Sequence, residues 1–397
     1  MGVLDDLKEE LARLREAGLT RSLRVVSSKQ GPEITLDGRT VLNACSNDYL
    51  GLAGHPRVIE AAQEAAGKYG AGAGAARLIV GNFTPHESLI AKLSAFTGTG
   101  IALFSSGWHA NLGLLPTLAT EGDLIVSDKL NHASLIDGCR LSRADVGVYA
   151  HGDVNAVDRA LTRSRARRKF VVTESLFSMD GDLAPLADLH DVCTKHEAFL
   201  YVDEAHAYGV LGPDGKGACA AAGIKADDPH VIRMGTLGKS FGSYGAFIAA
   251  APEIVELLTS RSRGFIFTTG IPPAAAAAAE AALGVSLAEP QRRTDLLHRA
   301  AALRTVLAAQ GWETGSSAAQ IVPLLLYDAE LTMQASRELL EAGVHCQGIR
   351  PPTVPAGTCR LRVSLTAAHG EAQLTSLARA FGDLAPMREE AARRARG

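Results

Sequence analysis

Short apolar runs alternate with amphipathic stretches along most of this chain. Leucines recur at spacings of three and four between residues 3 and 17, which predicts an amphipathic helix there. The run from Ile34 to Leu42 predicts a β-hairpin that turns at Asp37 and Gly38. Later apolar runs predict buried strands that each end in polar residues, at 101–104, 124–126, 170–173, 199–202 and 231–234. Strands that alternate with helical stretches in this way predict a mostly parallel α/β sheet.

The same pattern divides the chain into three parts. We predict a helix and hairpin segment over 1–45, a large α/β domain over 46–285 and a small α+β domain over 286–397. An alanine-rich helix that opens at Pro272 and Pro273 marks the crossing into the last part. Within the large domain, the stretch 67–81 is rich in glycine and alanine and predicts a loop.

The smaller domain has its own set of predicted elements. Strands are predicted at 320–326 and 359–365, and helices at 332–342 and 371–381. The charged run over 388–396 predicts a solvated helix end. No internal repeat is present in the sequence.

Composition narrows the class of protein. Lysine and arginine total 40 against 43 aspartates and glutamates, so nothing indicates nucleic acid or an anionic membrane as a partner. Six scattered cysteines are typical of a cytoplasmic enzyme with reduced thiols. No apolar run is long enough to span a bilayer, and the first residues lack a secretory signal. His190, Cys193 and His196 have a metal-like spacing, but an ordinary helix is the better interpretation, so we expect no metal.

Polar and charged residues that could carry chemistry lie where the predicted strands end. Open α/β sheets bind their ligands at this edge. Ser106, Gly107 and Trp108 follow one strand and open a helix, which predicts an anion site. Asp203 ends another strand, and Lys239 lies in a glycine-rich loop after a third. The loop lacks the leading glycine of a nucleotide-binding P-loop. Together these groups predict a site for pyridoxal 5'-phosphate (PLP). The carboxylate would meet the ring nitrogen, the lysine would bind the aldehyde, and the turn at 106–108 would bind the phosphate.

These residues stand within motifs that cover nearly the whole chain. The motifs are Ser-Asn-Asp-Tyr-Leu-Gly-Leu at 46–52, Asn-His-Ala-Ser at 131–134, Thr-Glu at 173–174, Asp-Glu-Ala-His at 203–206, Gly-Thr-Leu-Gly-Lys-Ser at 235–240 and Arg-Leu-Arg at 360–362. In this order they resemble the α-oxoamine synthases. The resemblance implies a PLP-dependent transferase of fold type I with a seven-stranded type of sheet. It also implies a homodimer whose subunits share the active site.

The resemblance also implies roles for single residues. Lys239 would carry the cofactor aldehyde as an imine and act as base, Asp203 would meet the ring nitrogen, and His132 would stack on the ring. Asn47 and Arg362 would bind the amino-acid carboxylate. The remaining implied positions surround the ring and phosphate or order the network: Ser106, Gly107, Trp108, Glu174, Ser178, His206, Thr236 and, from the neighbouring subunit, Thr268 or Thr269.

The expected substrates follow from the same resemblance. It is strongest to the member that condenses L-alanine with pimeloyl-CoA or a pimeloyl carrier-protein thioester. Members that use glycine or serine remain alternatives: glycine C-acetyltransferase, 5-aminolevulinate synthase and the sphingoid-base enzyme. Trp108 and Ser175 depart from the family pattern and bear on acyl-chain choice. Arg21 is a hypothetical grip for the far carboxylate of the pimeloyl chain, although its spacing alone favours surface charge.

Overall fold

The computed structural model describes residues 2–395. The α-helices run over Val3–Glu16 (α1), Pro56–Tyr69 (α2), Thr84–Thr97 (α3), Gly107–Leu118 (α4), Ala133–Leu141 (α5), Val154–Arg163 (α6), Leu186–Lys195 (α7), Ala218–Ala221 (α8), Pro252–Arg261 (α9), Arg263–Ile266 (α10), Pro273–Ala288 (α11), Gln291–Ala309 (α12), Ala329–Glu341 (α13), Glu371–Asp383 (α14) and Ala385–Arg394 (α15). The strands run over Glu33–Leu36 (β1), Arg39–Asn43 (β2), Gly100–Phe104 (β3), Leu124–Asp128 (β4), Asp145–Tyr149 (β5), Lys169–Glu174 (β6), Phe199–Asp203 (β7), Val231–Thr236 (β8), Ala246–Ala250 (β9), Ile321–Tyr327 (β10), Val344–His345 (β11), Gln347–Ile349 (β12) and Cys359–Ser364 (β13).

A seven-stranded sheet in the order β3-β9-β8-β7-β6-β4-β5 dominates the larger unit of the chain. Strands β5, β4, β6, β7 and β8 pair in parallel, and β9 is antiparallel to both β8 and β3. The prediction of a mostly parallel α/β sheet is therefore confirmed. Parallel strands place their carboxyl ends along one edge, so the polar residues that follow β6, β7 and β8 come together there.

The central strands are apolar on both faces because helices cover the sheet on each side. Phe170 and Tyr201 pack into a core cluster on one face together with α4 and α5. Their chain neighbours Val171 and Leu200 pack into a second cluster with α6 and α7, as the two-residue period of a strand requires. All four side chains are buried. This double burial produces the continuous apolar runs in the sequence and fixes the sheet as a rigid platform for the site.

The remaining described residues form a smaller unit. The chain divides into two compact units according to which residues lie close together. The larger unit comprises Asn47–His298 and Thr366–Ala368. The smaller unit comprises the residues before Asn47, those of Arg299–Leu365 and those after Ala368. In the smaller unit β13 pairs with β10 and β12, and the hairpin β1–β2 is extended by β11. The hairpin turns at Asp37 and Gly38, both at positive φ, as predicted. The domain boundaries at 45 and 285 stay predictions.

Several local predictions were wrong or incomplete. Gly67 lies inside α2 and not in a loop, since the alanines before it continue a helix that ends only at Tyr69. The sequence pattern missed α2, β5 and β9 altogether. Most side chains of β5 lie open to solvent at the sheet edge, so that strand has no buried apolar run. The predicted charged helix end is found within α15, and its last residue, Arg396, lies outside the described residues.

Among residues 2–395, no helix combines the length and the apolar character that a bilayer crossing requires.

Candidate active site

One cavity of about 200 Å³ opens at the carboxyl ends of β6, β7 and β8. Eight of the predicted site residues line it: Gly107, Trp108, His132, Glu174, Asp203, His206, Thr236 and Lys239. Asn111, Ser134, Ala205 and Met234 complete the lining. These residues come from separate strand ends and helix starts, and the parallel sheet is what brings them together.

The lysine loop depends on one glycine. Gly242 has a φ of +55°, and a Cβ there would lie 2.2 Å from the backbone nitrogen of Ala53. Only glycine fits so close an approach. The Gly242 N–H donates to the carbonyl of Lys239 at 2.9 Å, which closes the loop and leaves the lysine side chain half-buried in the cavity wall. The sequence therefore shapes the loop around the lysine.

A chain of hydrogen bonds leads away from the Lys239 amine. Its Nζ lies 2.7 Å from His206 Nε2, and His206 Nδ1 lies 2.6 Å from the Tyr49 hydroxyl. That hydroxyl donates to Asn47 Oδ1 at 3.0 Å. These directions agree with a neutral imidazole that carries its proton on Nδ1 and accepts from the lysine through Nε2. The arrangement orients the amine and places Asn47 at the far end of the same network.

Asp203 is buried and held between two neutral donors. Its Oδ1 accepts the Ala205 N–H at 2.9 Å, and its Oδ2 accepts Asn111 Nδ2–H at 3.0 Å. Asn111 also donates to Ser134 Oγ, which lies 2.8 Å from His132 Nδ1. A buried carboxylate with neutral donors is further stabilised by a cationic partner such as a protonated ring nitrogen.

Asn111 is the residue that sequence reasoning missed. It lies within α4 four positions after Gly107, on the turn of the helix that follows the anion turn. Its side chain is buried and links the carboxylate of Asp203 to the loop that carries His132. The sequence carried no local signal for it, because the partners of its amide lie 92 and 23 residues away.

Glu174 is buried at the end of β6. Its Oε2 accepts the Ser178 N–H at 3.3 Å, while Oε1 has no hydrogen-bond partner among residues 2–395. Burial, reinforced by the nearby Asp203 carboxylate, raises the pKa of Glu174 to about 8. Burial also lowers the pKa of His132, with Lys239 acting in the same direction, so His132 presents a neutral ring to the cavity.

The predicted anion turn is present at the start of α4. Ser106 caps the helix by accepting the His109 N–H at 3.2 Å. A Cβ on Gly107 would lie 3.3 Å from Met234 Cε, so the turn packs closely against β8. Trp108 is partly exposed, and its ring meets that of His132 edge-on with centroids 6.2 Å apart. The free amides at this helix start and Thr236 across the cavity suit a phosphate.

A histidine outside the cavity ties two of its loops together. His151 Nδ1 lies 3.0 Å from Asp128 Oδ1, and its Nε2 lies 2.7 Å from Asp182 Oδ2. These two carboxylates raise the pKa of His151 to about 10. Asp128 also accepts the Leu130 N–H at 2.8 Å, two residues before His132. The backbone carbonyl of Asp182 accepts a hydrogen bond from the N–H of Phe177, the residue before Ser178.

The other predicted residues lie elsewhere. Thr268 and Thr269 follow α10 in a partly exposed segment, where Thr269 bridges to Ala76. Arg362 belongs to the smaller unit, where it is buried on β13 and donates to Ser364 Oγ at 2.9 Å. Arg21 also belongs to that unit and donates to Thr353 Oγ1 at 3.4 Å. The roles predicted for these four residues stay predictions.

A second cavity, within the smaller unit, surrounds Arg21. It has a volume of about 390 Å³ and includes Arg350, which sequence reasoning did not single out. Arg350 is buried, donates to the Thr20 carbonyl at 2.9 Å and leaves its Nε without a partner among residues 2–395. Burial and the nearby Arg21 lower the pKa of Arg350. Two neighbouring guanidinium groups favour an anionic ligand.

The three residues with metal-like spacing have separate partners. His190 Nε2 lies 2.8 Å from Asp228 Oδ2, and His196 Nε2 lies 2.7 Å from Asp158 Oδ1. Cys193 is buried in the core between α7 and the sheet. The two histidines thus pair with separate carboxylates, and the expectation of no metal stays a prediction.

The main cavity fits PLP on several independent points. Asp203 offers a buried carboxylate, Lys239 an amine in the wall, and the start of α4 free amides for a phosphate. The unpartnered Oε1 of Glu174 adds a buried polar atom that a polar ligand would satisfy.

Comparison with known proteins agrees with this chemistry. The family described as aminotransferase class I and II matches residues 39–381. An 8-amino-7-oxononanoate synthase of Anaeromyxobacter dehalogenans (strain 2CP-1) is 49% identical over 97% of this chain and 98% of its own length. The enzyme of the same name from Geobacter sulfurreducens is 50% identical over 92% of this chain and 94% of its own.

A solved structure extends the comparison to the cofactor. A variant of serine palmitoyltransferase from S. paucimobilis, with bound PLP and myriocin, superposes with a TM-score of 0.91 and is 32% identical. The match covers 98% of this chain and all of that one. The fold-type I architecture and a PLP-dependent chemistry predicted from the sequence are confirmed by these relatives.

Proposed function

The chain belongs to the class I and II aminotransferase family and, within it, to the PLP-dependent 8-amino-7-oxononanoate synthases, and we propose that it condenses L-alanine with a pimeloyl thioester. The products are 8-amino-7-oxononanoate, CO2 and the free thiol, a step of biotin biosynthesis. The observation that carries the proposal is the meeting of Lys239, Asp203 and His132 in one cavity, in a chain about half identical to enzymes of that name.

The proposed roles follow from the contacts of each side chain. Lys239 would hold the cofactor aldehyde, and its Nζ would move the α-proton of alanine; His206 orients that amine through Nε2. Asp203 keeps a ring nitrogen protonated, and His132 covers the ring face. When bound, PLP supplies the π system that stores the electron pair left at the α-carbon. Ser178 and His206 then contact the ring hydroxyl, and Glu174 orders this network.

Substrate binding is assigned to polar and charged side chains. Asn47 and Arg362 bind the alanine carboxylate, for which a planar guanidinium offers two parallel donors. That grip is non-covalent, so the carboxylate can leave as CO2. Arg21, supported by the buried Arg350, binds the far carboxylate of the pimeloyl chain in the cavity of the smaller unit.

The assembly and location are part of the same proposal. The protein works as a cytoplasmic homodimer in which Thr268 or Thr269 reaches the phosphate in the partner's site. Exposed apolar side chains support this assembly, since Leu78, Ile79 and Phe267 are at least half exposed in the single chain.

Two experiments test the proposal. Mass spectrometry of the product from L-alanine and pimeloyl-CoA should give 8-amino-7-oxononanoate, and pimeloyl carrier protein in place of the CoA ester identifies the preferred thioester. Borohydride treatment of the holoenzyme should leave a phosphopyridoxyl label on the Lys239 peptide, and the K239A variant should carry none. Because a serine-using relative shares the fold, L-serine with palmitoyl-CoA is the comparison reaction. Turnover of that pair in preference to alanine would replace the proposal.

A further inference from the structure

Two cysteines of the smaller unit lie side by side at the ends of neighbouring strands. Strands β2 and β11 run parallel, with Asn43 opposite His345. The Ala44 N–H continues this ladder by donating to the His345 carbonyl at 2.9 Å. Cys45 lies two residues after Asn43, and Cys346 lies one residue after His345. The Cys45 sulfur contacts backbone atoms of His345 and Gln347, the two chain neighbours of Cys346, and this contact places the two thiols side by side.

The surroundings of the Cys45 sulfur favour a reactive thiol. The Gln347 N–H donates to Cys45 Sγ at 3.0 Å, whereas the Cys45 thiol itself donates to the His345 carbonyl at 3.2 Å. The thiol of Cys346 is a further hydrogen-bond partner, and it contributes most to a lowered pKa of Cys45. The His345 side chain acts in the same direction. Donors around a sulfur stabilise its thiolate, which is the nucleophile in thiol chemistry.

The two thiols differ in access and in acidity. Cys45 is half-buried, whereas Cys346 is fully buried behind it. Contact with Cys45 and burial raise the pKa of Cys346. The other buried thiols behave as inert core groups, since burial raises the pKa of Cys139 to about 11 and that of Cys193 to about 12. An accessible, acidic thiol in front of a second thiol is the arrangement of an attacking and a resolving cysteine.

We propose that Cys45 and Cys346 form a redox-active dithiol that reacts with disulfides of low-molecular-weight thiols. The Cys45 thiolate attacks one sulfur of the external disulfide and expels the first small thiolate. The Cys346 thiol then attacks Cys45 Sγ in the mixed disulfide, and its proton passes to the second small thiolate, which leaves as a thiol. The protein dithiol is oxidised by two electrons to an intramolecular disulfide, and the external disulfide is reduced to two thiols.

The position of this dithiol couples it to the substrate site. This coupling rests on the proposed function. Cys45 precedes Asn47 by two residues, and Gln347, which follows Cys346, pairs with Arg362 across β12 and β13. Asn47 is therefore two residues from one end of the new covalent bond, and Arg362 lies opposite the residue that follows the other end. Oxidation is expected to raise KM for L-alanine several-fold and to leave KM for the thioester within twofold.

Thiol mapping of the holoenzyme tests the dithiol without any substrate. The protein is incubated with oxidised glutathione, its free thiols are blocked with iodoacetamide, and its peptides are analysed by mass spectrometry. The expected result is a peptide pair cross-linked through Cys45 and Cys346, reversed by dithiothreitol. The C346A variant should stop at glutathione bound to Cys45. The C193A variant is the matched control and should form the same cross-link as the wild type.

The mapping also gives the opposing results. Six freely alkylated cysteines after oxidised glutathione, or glutathione on another cysteine in place of Cys45, would overturn the inference. Both of these results come from the wild-type protein, so the test stays decisive even if the C346A variant fails to fold. A cross-link with no change in KM for alanine removes only the coupling. A missing product with alanine, in a protein that forms the cross-link, counts against the proposed function and not against the dithiol.

Discussion

Glu174 shows how a single residue can gain an unusual protonation state from its position in the sheet. Its carboxyl group is buried at the end of β6 next to a second carboxylate, and its pKa is raised to about 8. In cofactor-free protein the folded state then holds a proton that the unfolded state loses near pH 4.5. The stabilising contribution of that proton is full at low pH and declines as pH rises from 4.5 toward 8.

We expect the substitution Glu174→Gln to flatten this part of the stability profile. The amide mimics the protonated acid in size and cannot ionise, so the variant loses the decline between about pH 5 and 8. Urea unfolding of the cofactor-free protein across this range measures the effect. Glu87→Gln, on the exposed side of α3, provides the control and should follow the wild type. A wild-type profile that does not decline would show that Glu174 is ionised in the folded protein.

Arg21 makes a prediction about substrate discrimination. Arg21→Ala removes a guanidinium from the cavity that it shares with Arg350, so the far carboxylate of the acyl chain loses one charged partner. KM for the pimeloyl thioester should rise about tenfold, the value of a charged hydrogen bond of about 1.5 kcal/mol, while KM for L-alanine stays constant. Steady-state kinetics with both substrates varied measures the split. Arg13→Ala, on the exposed surface of α1, is the control, and an unchanged KM for the thioester in R21A would refute the role.

At the scale of elements, the loops after β4 and β6 are joined by one charged side chain. His151 stands between Asp128, which supports the His132 loop, and Asp182, which closes the Ser178 loop. Removing His151 leaves Asp128, itself buried, without its cationic partner. The substitution His151→Gln should lower the free energy of unfolding by about 3 kcal/mol. It should also weaken PLP binding, which equilibrium dialysis measures, whereas His230→Gln at an exposed site should do neither.

The contribution of His151 to stability depends on pH in a definite direction. The folded pKa of His151 is raised from 6.5 to about 10, so the folded state retains a proton that the unfolded state releases near neutrality. Its stabilisation is complete below pH 6.5 and is lost as pH rises through about 10. Wild-type stability should therefore fall between pH 7 and 10 more steeply than that of the H151Q variant. Parallel profiles for the two proteins would assign the alkaline loss to other groups.

The elements also show what the sequence could predict. The apolar runs of β4, β6, β7 and β8 were visible because helices bury both of their faces, and Asp203 and Lys239 stood out because each follows such a run. Strand β5 escaped because most of its side chains face solvent, and the end of α2 escaped because the glycine- and alanine-rich stretch that begins at Gly67 predicts a loop. Asn111 escaped because its importance lies in contacts with Asp203 and Ser134, 92 and 23 residues away. Such pairings come from tertiary packing and leave no local pattern.

At the scale of the whole molecule, part of the surface of the single chain is apolar. Leu78, Ile79 and Val80 lie within the glycine- and alanine-rich stretch 67–81, and Phe267 adjoins Thr268 and Thr269. Exposed apolar side chains that lie next to predicted site residues favour a subunit contact that also completes the site. We therefore expect Ile79→Glu to shift the protein toward the monomer in sedimentation experiments. Leu141→Glu, an exposed apolar position on α5, is the control.

An active site built from residues of two subunits leads to a prediction that a site built within one subunit does not. A variant with Lys239→Ala lacks the amine of its own site, and a variant with Thr268→Ala and Thr269→Ala lacks the hydroxyls that, in the proposed dimer, it lends to its partner. In a mixed dimer one site then has both defects and the other has neither. Subunit exchange between the two variants at limiting PLP should restore activity above that of either parent. Activity that stays at the average of the two parents would place all the phosphate contacts within one subunit, because no exchanged pair would then contain an intact site.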